Sequence, residues 1–333
     1  MIAQKFFKLF PPPKFLDIPY AGLDICDDAV RCIQYSRSAK GLSIHKYGTK
    51  FLSPGVIENG EVKDPQALME ALSVLSKKLD VHVVRASLPE ERMYLFQTEV
   101  PSTDEKEIRQ NIEFKLEENV PLSPAESVFF FDLIPGTSLA SVSVAPKSVV
   151  TSYLEIIKSA GMTVLSFEVQ AKAIARSLIR ENENSETSMI IYIMNFKTGM
   201  YVINGGVVCF TSTIPWGHKS RYNNGNNIET NIEELRKHIQ QIYGYWAEHG
   251  RGTVISKIIL AGHGAITNSV VSKCLLDFTE SVSIGTGEEK KGPKIQVEVG
   301  RVWQNACLPE KYVPPIPYDD SLDYAIAAGL ALP

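Results

Sequence analysis

The chain reads as an α/β protein built as a duplicated domain pair. Two observations predict this. A strand–turn–strand–glycine–strand opening begins near residue 21 and recurs near residue 188, with helix-rich sequence after each copy. The length, 333 residues, is long for one core and suits two domains of ordinary size.

The elements follow in order. AGLDI from Ala21 is a short apolar strand. AVRCIQYSRS, after the Cys26–Asp28 turn, alternates like a second, and Ala39-Lys40-Gly41 turns the chain into a third, LSIHKYGTKF. DPQALMEALSVLSKKL carries a helical stripe of Leu68, Leu72, Leu75 and Leu79, with Asp64 and Pro65 at its start. A strand from about Val81 to Leu88 stops at Pro89. In the second half SMIIYIM is a strand, NFKT a turn and GMYVIN a second strand. Gly205-Gly206 then makes a tight hairpin into VVCFTSTIP. A long helix, NIEELRKHIQQIYGYWAEH, the strand SKIILAG and a closing helix, SLDYAIAAGLALP, complete the chain. Ligands of such domain pairs usually sit in the cleft between the halves.

Composition narrows the function classes. Apolar residues at 44% and charged residues at 22% give the balance of a soluble globular protein, and a net charge of −4 does not point to nucleic acid. The five cysteines, Cys26, Cys32, Cys209, Cys274 and Cys307, are scattered without a C-x-x-C pair, the pattern of reduced thiols rather than of disulfides or zinc. No apolar run reaches the roughly 18 to 20 residues of a membrane-spanning helix. In MIAQKFFKLFPPPKFL, Ile2, Phe6, Leu9 and Phe10 share a face if the piece is helical. Two readings of it stand: a foot on a membrane surface or partner, and a tail packed on its own domain. No P-loop, H-E-x-x-H or G-x-S-x-G motif occurs, and the six histidines show no metal spacing. His238 and His249 read as surface residues, Gly285-Thr286-Gly287 as a polar loop, and Trp216 with the glycine- and asparagine-rich stretch after it as a loop rather than a lid.

Several stretches, in order and spacing, resemble one family: the type IV pilus assembly protein PilM, an actin-like relative of the division protein FtsA. They are GLDI at 22–25, GEVKDPQALMEAL at 60–72, VPSTDEKEIRQNIEFKLEENVPLSPAESVFFFDLI, VAPKSVVTSYLEIIKSAGMTVLSFEVQAKAIARSL at 144–178, SKIILAGHGA at 256–265 and AIAAGLAL at 325–332. The secretion-system L proteins of the same superfamily are the nearest confusion. The resemblance implies an actin-like (ribonuclease H-like) duplicated pair with a small inserted α+β subdomain. On it, residues 1–20 are an N-terminal segment; 21–83 and 141–185 form the first domain, closed by a C-terminal helix at 321–333; 84–140 is the inserted partner-docking subdomain; and 186–320 is the second domain.

The family's nucleotide chemistry, ATP with Mg²⁺, is carried over position by position. Two hairpins pinch the phosphates, with backbone N–H groups on the oxygens and acidic residues placing the metal through water. In the first, Asp24 keeps the family's aspartate and its metal role, and Arg31 stands where a lysine would. Cys26 replaces a glycine and crowds the backbone approach, while Asp27 and Asp28 would repel a triphosphate unless metal intervenes. In the second, Tyr192 takes the aspartate's place and Met194 the glycine's, leaving Thr198 and Gly199 as phosphate contacts. Losing that aspartate removes a group that holds metal or orients an attacking water, so hydrolysis is not expected. Gly262, Gly264 and Ala265, with His263 among them, read equally as an adenosine loop and as a strand-to-helix turn. Glu233 and Arg236 reach a ribose if the family geometry holds, or else belong to a solvated helix face.

The insert reads as a docking module. In EKEIRQNIEFKLEENV, Ile108, Ile112 and Leu116 share one face and charges alternate on the other. Of Phe129, Phe130 and Phe131 one ring must face away from its neighbours' core, to be covered by a second layer or by a partner. The family's partner is the cytoplasmic tail of an inner-membrane PilN-like protein, received in a groove beside the insert. The resemblance thus implies a cytoplasmic scaffold, peripheral at the inner membrane through that partner and other pilus-assembly proteins. It is expected to bind ATP without significant hydrolysis. An actin-fold ATPase or small-molecule kinase is the first alternative, against which Tyr192 and Met194 stand. A filament-forming division protein is the second, but this chain stops at Pro333 directly after its last core helix, without that branch's terminal membrane helix.

Overall fold

The computed structural model describes residues 18–38, 41–101, 104–180, 186–217, 228–263, 275, 295–307 and 312–333. Strand β1 (Ala21–Ile25) pairs antiparallel with β2 (Ala29–Ser38), which pairs antiparallel with β3 (Gly41–Phe51). A two-residue ladder of β4 (Ile57–Glu58) and β5 (Glu61–Val62) leads to helix α1 (Pro65–Leu79), whose first turn is capped by the Asp64 carboxylate accepting from Ala67 N at 3.0 Å. β6 (Val83–Leu88) returns parallel to β1.

The inserted subdomain follows. It contains β7 (Tyr94–Glu99), α2 (Glu105–Asn119), β8 (Ser127–Leu133) and β9 (Leu139–Pro146), the strands ordered β7-β9-β8. Asp104 caps α2 by accepting from Lys106 N and Glu107 N, and Ile108, Ile112 and Leu116 pack on Ala140, Val142 and Val144. The guanidinium of Arg109 lies over the rings of Phe129 and Phe131, at 5.8 and 5.6 Å from their centroids. These boundaries correct the sequence reading of 84–140. β6 belongs to the main sheet, and β9 extends the insert to Pro146. Which sheet a strand joins is decided by non-local pairing, which its own alternation does not record.

The chain re-enters the first lobe through α3 (Lys147–Ser159), β10 (Thr163–Val169) and α4 (Gln170–Leu178), closing a sheet ordered β10-β6-β1-β2-β3. The second lobe repeats this order. β11 (Thr187–Ile193), β12 (Thr198–Asn204) and β13 (Val207–Ile214) run antiparallel, and β14 (Ile255–Gly262), after α5 (Ile228–His249), and β15 (Gln296–Val299) add in parallel. The resulting sheet, β13-β12-β11-β14-β15, matches the first strand for strand. The duplicated α/β architecture is therefore present, mixed sheet for mixed sheet.

Period-two burial places the site. Ala21, Leu23 and Ile25 fill the core beneath α1 and α3, so Gly22 and Asp24 face the other way. The closing segment comes to that second face. The single helix expected at 321–333 is broken into α6 (Tyr318–Ser321), a 3₁₀ turn at Leu322–Tyr324 and α7 (Ala325–Ala331). α7 lies so close that a Cβ at Gly22 would sit 2.0 Å from Ala327 O, and one at Gly329 would sit 1.8 Å from Ala173 O of α4.

Candidate functional site

The β1–β2 turn and the β11–β12 turn meet across the cleft between the lobes. Asp24, at the end of β1, is fully buried. It accepts from Ser87 Oγ at 2.9 Å, Gln170 Nε2 at 3.2 Å and Cys26 Sγ at 3.2 Å. Burial raises its pKa, with the Arg31 charge and these donors pulling the other way. Asp24 thus ties β1 to β6 and α4. Cys26 is buried beside it, its thiol pushed well up by that burial and by the Asp24 charge.

Asp27 and Asp28 face the second turn. Asp27 accepts from the backbone N–H groups of Asn59 and Gly60 at 3.1 and 3.2 Å, and Lys197 Nζ lies 3.1 Å from its carboxylate. Lys197 also pairs with Glu91, which follows Glu90 in the 3₁₀ turn after β6. Burial works against the Lys197 ammonium, but Glu91 and Asp27 outweigh it and hold the group above the ordinary lysine range. Asn195 Nδ2 donates to Asp28. Buried Arg31 stands 3.8 Å from both Asp28 and Asp323, and the ring of His263 is 3.0 Å from Asp323. Glu90 accepts from Ala171 N at 3.2 Å, and burial pushes it up to about 7.

The sequence-predicted residues divide. Asp24, Asp27, Asp28 and Arg31 come together at the first turn. Tyr192 is buried, its phenol donating to Asp323 O at 3.4 Å, and Met194 opens the second turn. Thr198 is buried with its hydroxyl donating to Trp216 O at 2.7 Å, so Trp216 is a core residue. A side chain at Gly199 would strike the Tyr201 phenol at 2.1 Å, so this glycine makes room for a buried ring. Gly262 adopts φ +88°, and a Cβ there would lie 2.2 Å from Ile193 O. The close pass of β14 and β11 is sufficient reason for a glycine at that position. Glu233 and Arg236 pair with each other at 3.7 Å along α5. Gly264, Ala265, Cys274, the 285–287 loop and most of the segment 1–20 lie outside the described residues.

Ser87, Glu91, Gln170, Asn195, Lys197 and Asp323 are functional neighbours that sequence reading missed. The charge in the NFKT turn was the one visible signal. The others reach the cleft only through tertiary folding.

Magnesium–ATP does not fit this donor set well. A triphosphate entering between the turns would meet Asp27, Asp28, Glu91 and Asp323, while Lys197 and Arg31 are already paired with them. Among the described residues no cluster of three or more His, Cys, Asp or Glu is arranged to hold a metal ion.

A second concavity lies beside the insert. It measures about 820 Å³ and is lined by Lys172, Arg176, Ile179 and Arg180 of and after α4, with Ile203 of the second lobe and the terminal Pro333. Lys172 Nζ reaches Asp132 of β8 at 2.7 Å, so one wall is pinned to the insert. β8 is an edge strand, with Val128 and Leu133 exposed.

Comparison with known proteins places the fold. A family model described as type IV pilus assembly protein PilM matches residues 22–228. The chain superposes on a structure titled a PilM-PilN type IV pilus biogenesis complex with a TM-score of 0.77 at 17% identity, covering 94% of this chain and 98% of that one. It is also similar to the cytoplasmic domain of EpsL, an inner-membrane component of the type II secretion system of Vibrio cholerae. That match has a TM-score of 0.46 at 12% identity, over 74% of this chain and 82% of that one. The ethanolamine utilization protein EutJ from Carboxydothermus hydrogenoformans gives 0.46 at 14%, over 96% and 90%. Comparison with curated proteins gave no match.

Proposed function

The chain belongs to the family of type IV pilus assembly protein PilM, and from that premise we propose that it is a scaffold that holds the cytoplasmic tail of a PilN-like inner-membrane protein and turns over no substrate. The observation that carries this is the groove beside the insert. Its volume of about 820 Å³ suits a short extended peptide, exposed Val128 and Leu133 of the neighbouring β8 offer apolar anchorage, and Arg180 supplies positive charge, Arg176 being held by Glu168 and the Gly329 carbonyl. The free edge of β8 beside it offers main-chain pairing to such a tail.

In this reading the chain works in the cytoplasm and reaches the inner membrane through its partner. None of the helices among the described residues is long and apolar enough to cross a bilayer. Absence of hydrolysis follows from Tyr192 standing where the family's second aspartate would position water, its phenol turned to a backbone carbonyl.

The test is fluorescence anisotropy with a labelled peptide of the PilN homologue's cytoplasmic tail. Leu133→Asp and Arg180→Glu, both at exposed positions, are expected to weaken binding by about tenfold or more each, and Lys78→Glu on α1 to leave it unchanged. Wild-type affinity in both groove variants would place the tail elsewhere and refute the reading.

A further inference from the structure

We infer that the cleft between the lobes is latched by the protein's own side chains and does not take up a nucleoside triphosphate. This goes beyond the partner reading and does not rest on it.

Two hairpins that pinch a phosphate must both be complementary to the same anion. Here they are complementary to each other. The first presents the carboxylates of Asp27 and Asp28, and the second presents Lys197 and the Asn195 amide, each in direct contact with its opposite number. Asp27 is held in place by the N–H groups of Asn59 and Gly60, so it meets Lys197 as a fixed acceptor. Lys197 is nearly buried and bridges from Asp27 to Glu91, both in the first lobe, which places a cation between the turns. Arg31 extends the same bonding toward Asp323, just before α7, and His263 meets that carboxylate from the end of β14.

An anion could enter only by breaking these pairs, and breaking one member out of a largely buried pair leaves an uncompensated charge. The acid-rich turn would then face the ligand with Asp27 and Asp28 freed. The insert is tied to the second lobe as well: Ser141 Oγ donates to Val208 O at 2.5 Å, and Gln97 Nε2 donates to Cys209 O at 3.1 Å. The lobes are thus joined by protein groups at the position where actin-fold relatives use nucleotide.

Two experiments on the full chain test this. In the first, a fluorescent ATP analogue with Mg²⁺ is titrated with wild-type protein to about 100 μM, and the melt is repeated in about 5 mM Mg-ATP. Neither a saturable anisotropy rise nor a melting shift is expected; a saturable rise matched by a higher melting temperature overturns the proposal. The second is a double-mutant cycle of Asp27→Asn and Lys197→Met, read as melting temperature. Each single variant is expected to melt several degrees lower, and the double to lose clearly less than the two losses added. Additive losses, or single variants that melt with wild type, overturn the latch. Should Lys197→Met not fold, Lys197→Gln replaces it in the cycle, and the nucleotide titration stands by itself.

Discussion

Replacing Asp24 separates the two roles a buried carboxylate can play. Asp24→Ala removes the acceptor of Ser87 Oγ and Gln170 Nε2, and both donors stay buried. Each orphaned donor costs about 1–3 kcal/mol. Against that, the variant escapes the penalty of burying a charge, which is large enough to raise the Asp24 pKa despite Arg31 and three hydrogen-bond donors. The expected net loss is about 3 kcal/mol, a fall of about 5 °C or more in melting temperature for a chain of this size. Asp24→Asn behaves differently. Ser87 and Gln170 both donate to Oδ1, which asparagine retains, and Cys26 is left to adjust to an amide at the Oδ2 position. This variant is expected within about 1 kcal/mol of wild type at neutral pH. A raised acid pKa gives stability that is complete below the ordinary carboxylate range and is lost as pH rises above it, so the asparagine variant should gain on wild type as pH rises from that range. Thermal melts at two pH values decide it. If asparagine costs as much as alanine, the Arg31 attraction outweighs burial and the reasoning fails. If alanine costs nothing, Asp24 ties nothing together.

Two further outcomes follow. Glu90, held up to about 7 mainly by burial, keeps in the folded state a proton that the unfolded chain releases near the ordinary 4.5. Its contribution is complete below about pH 4.5 and is lost as pH rises through 7, so Glu90→Gln should stabilise by up to about 3 kcal/mol at pH 8 and by little at pH 5. Urea titrations at both pH values check this, and an equal effect at both would contradict it. Gly329→Ala drives a methyl to within 1.8 Å of Ala173 O, so α4 and α7 must separate. The expected cost is about 1–3 kcal/mol or more, while Gly136→Ala, whose Cβ would meet open space at φ +75°, should cost only its backbone strain. Equal losses in the two variants by chemical denaturation would show that the close helix contact is not tight.

The sequence made the repeated sheets legible because each opening is a local hairpin unit with alternating burial, and those signals lie within a few residues of one another. Helix α1 was readable down to its Asp64 cap for the same reason. The insert's limits were not, since β9 reads the same whether it pairs with β7 or with a main-sheet strand. In the cleft, the first turn was readable as a departure from a phosphate turn, with Cys26, Asp27 and Asp28 in place of small residues. What neutralises those carboxylates was hidden. Lys197 shows in the sequence only as a charge in a turn, Asn195 is an ordinary turn residue, and Asp323 lies in a closing segment that read as one uninterrupted helix.

The seating of α7 against β1 has a consequence for how the molecule is made. The small-residue run Ala325–Ala331 covers the face of the first sheet that Gly22 leaves open. On the ribosome these residues emerge after the second lobe, so the first lobe cannot finish folding as it is synthesised. Its sheet waits with the face that carries Gly22 and Asp24 uncovered until the closing helix arrives.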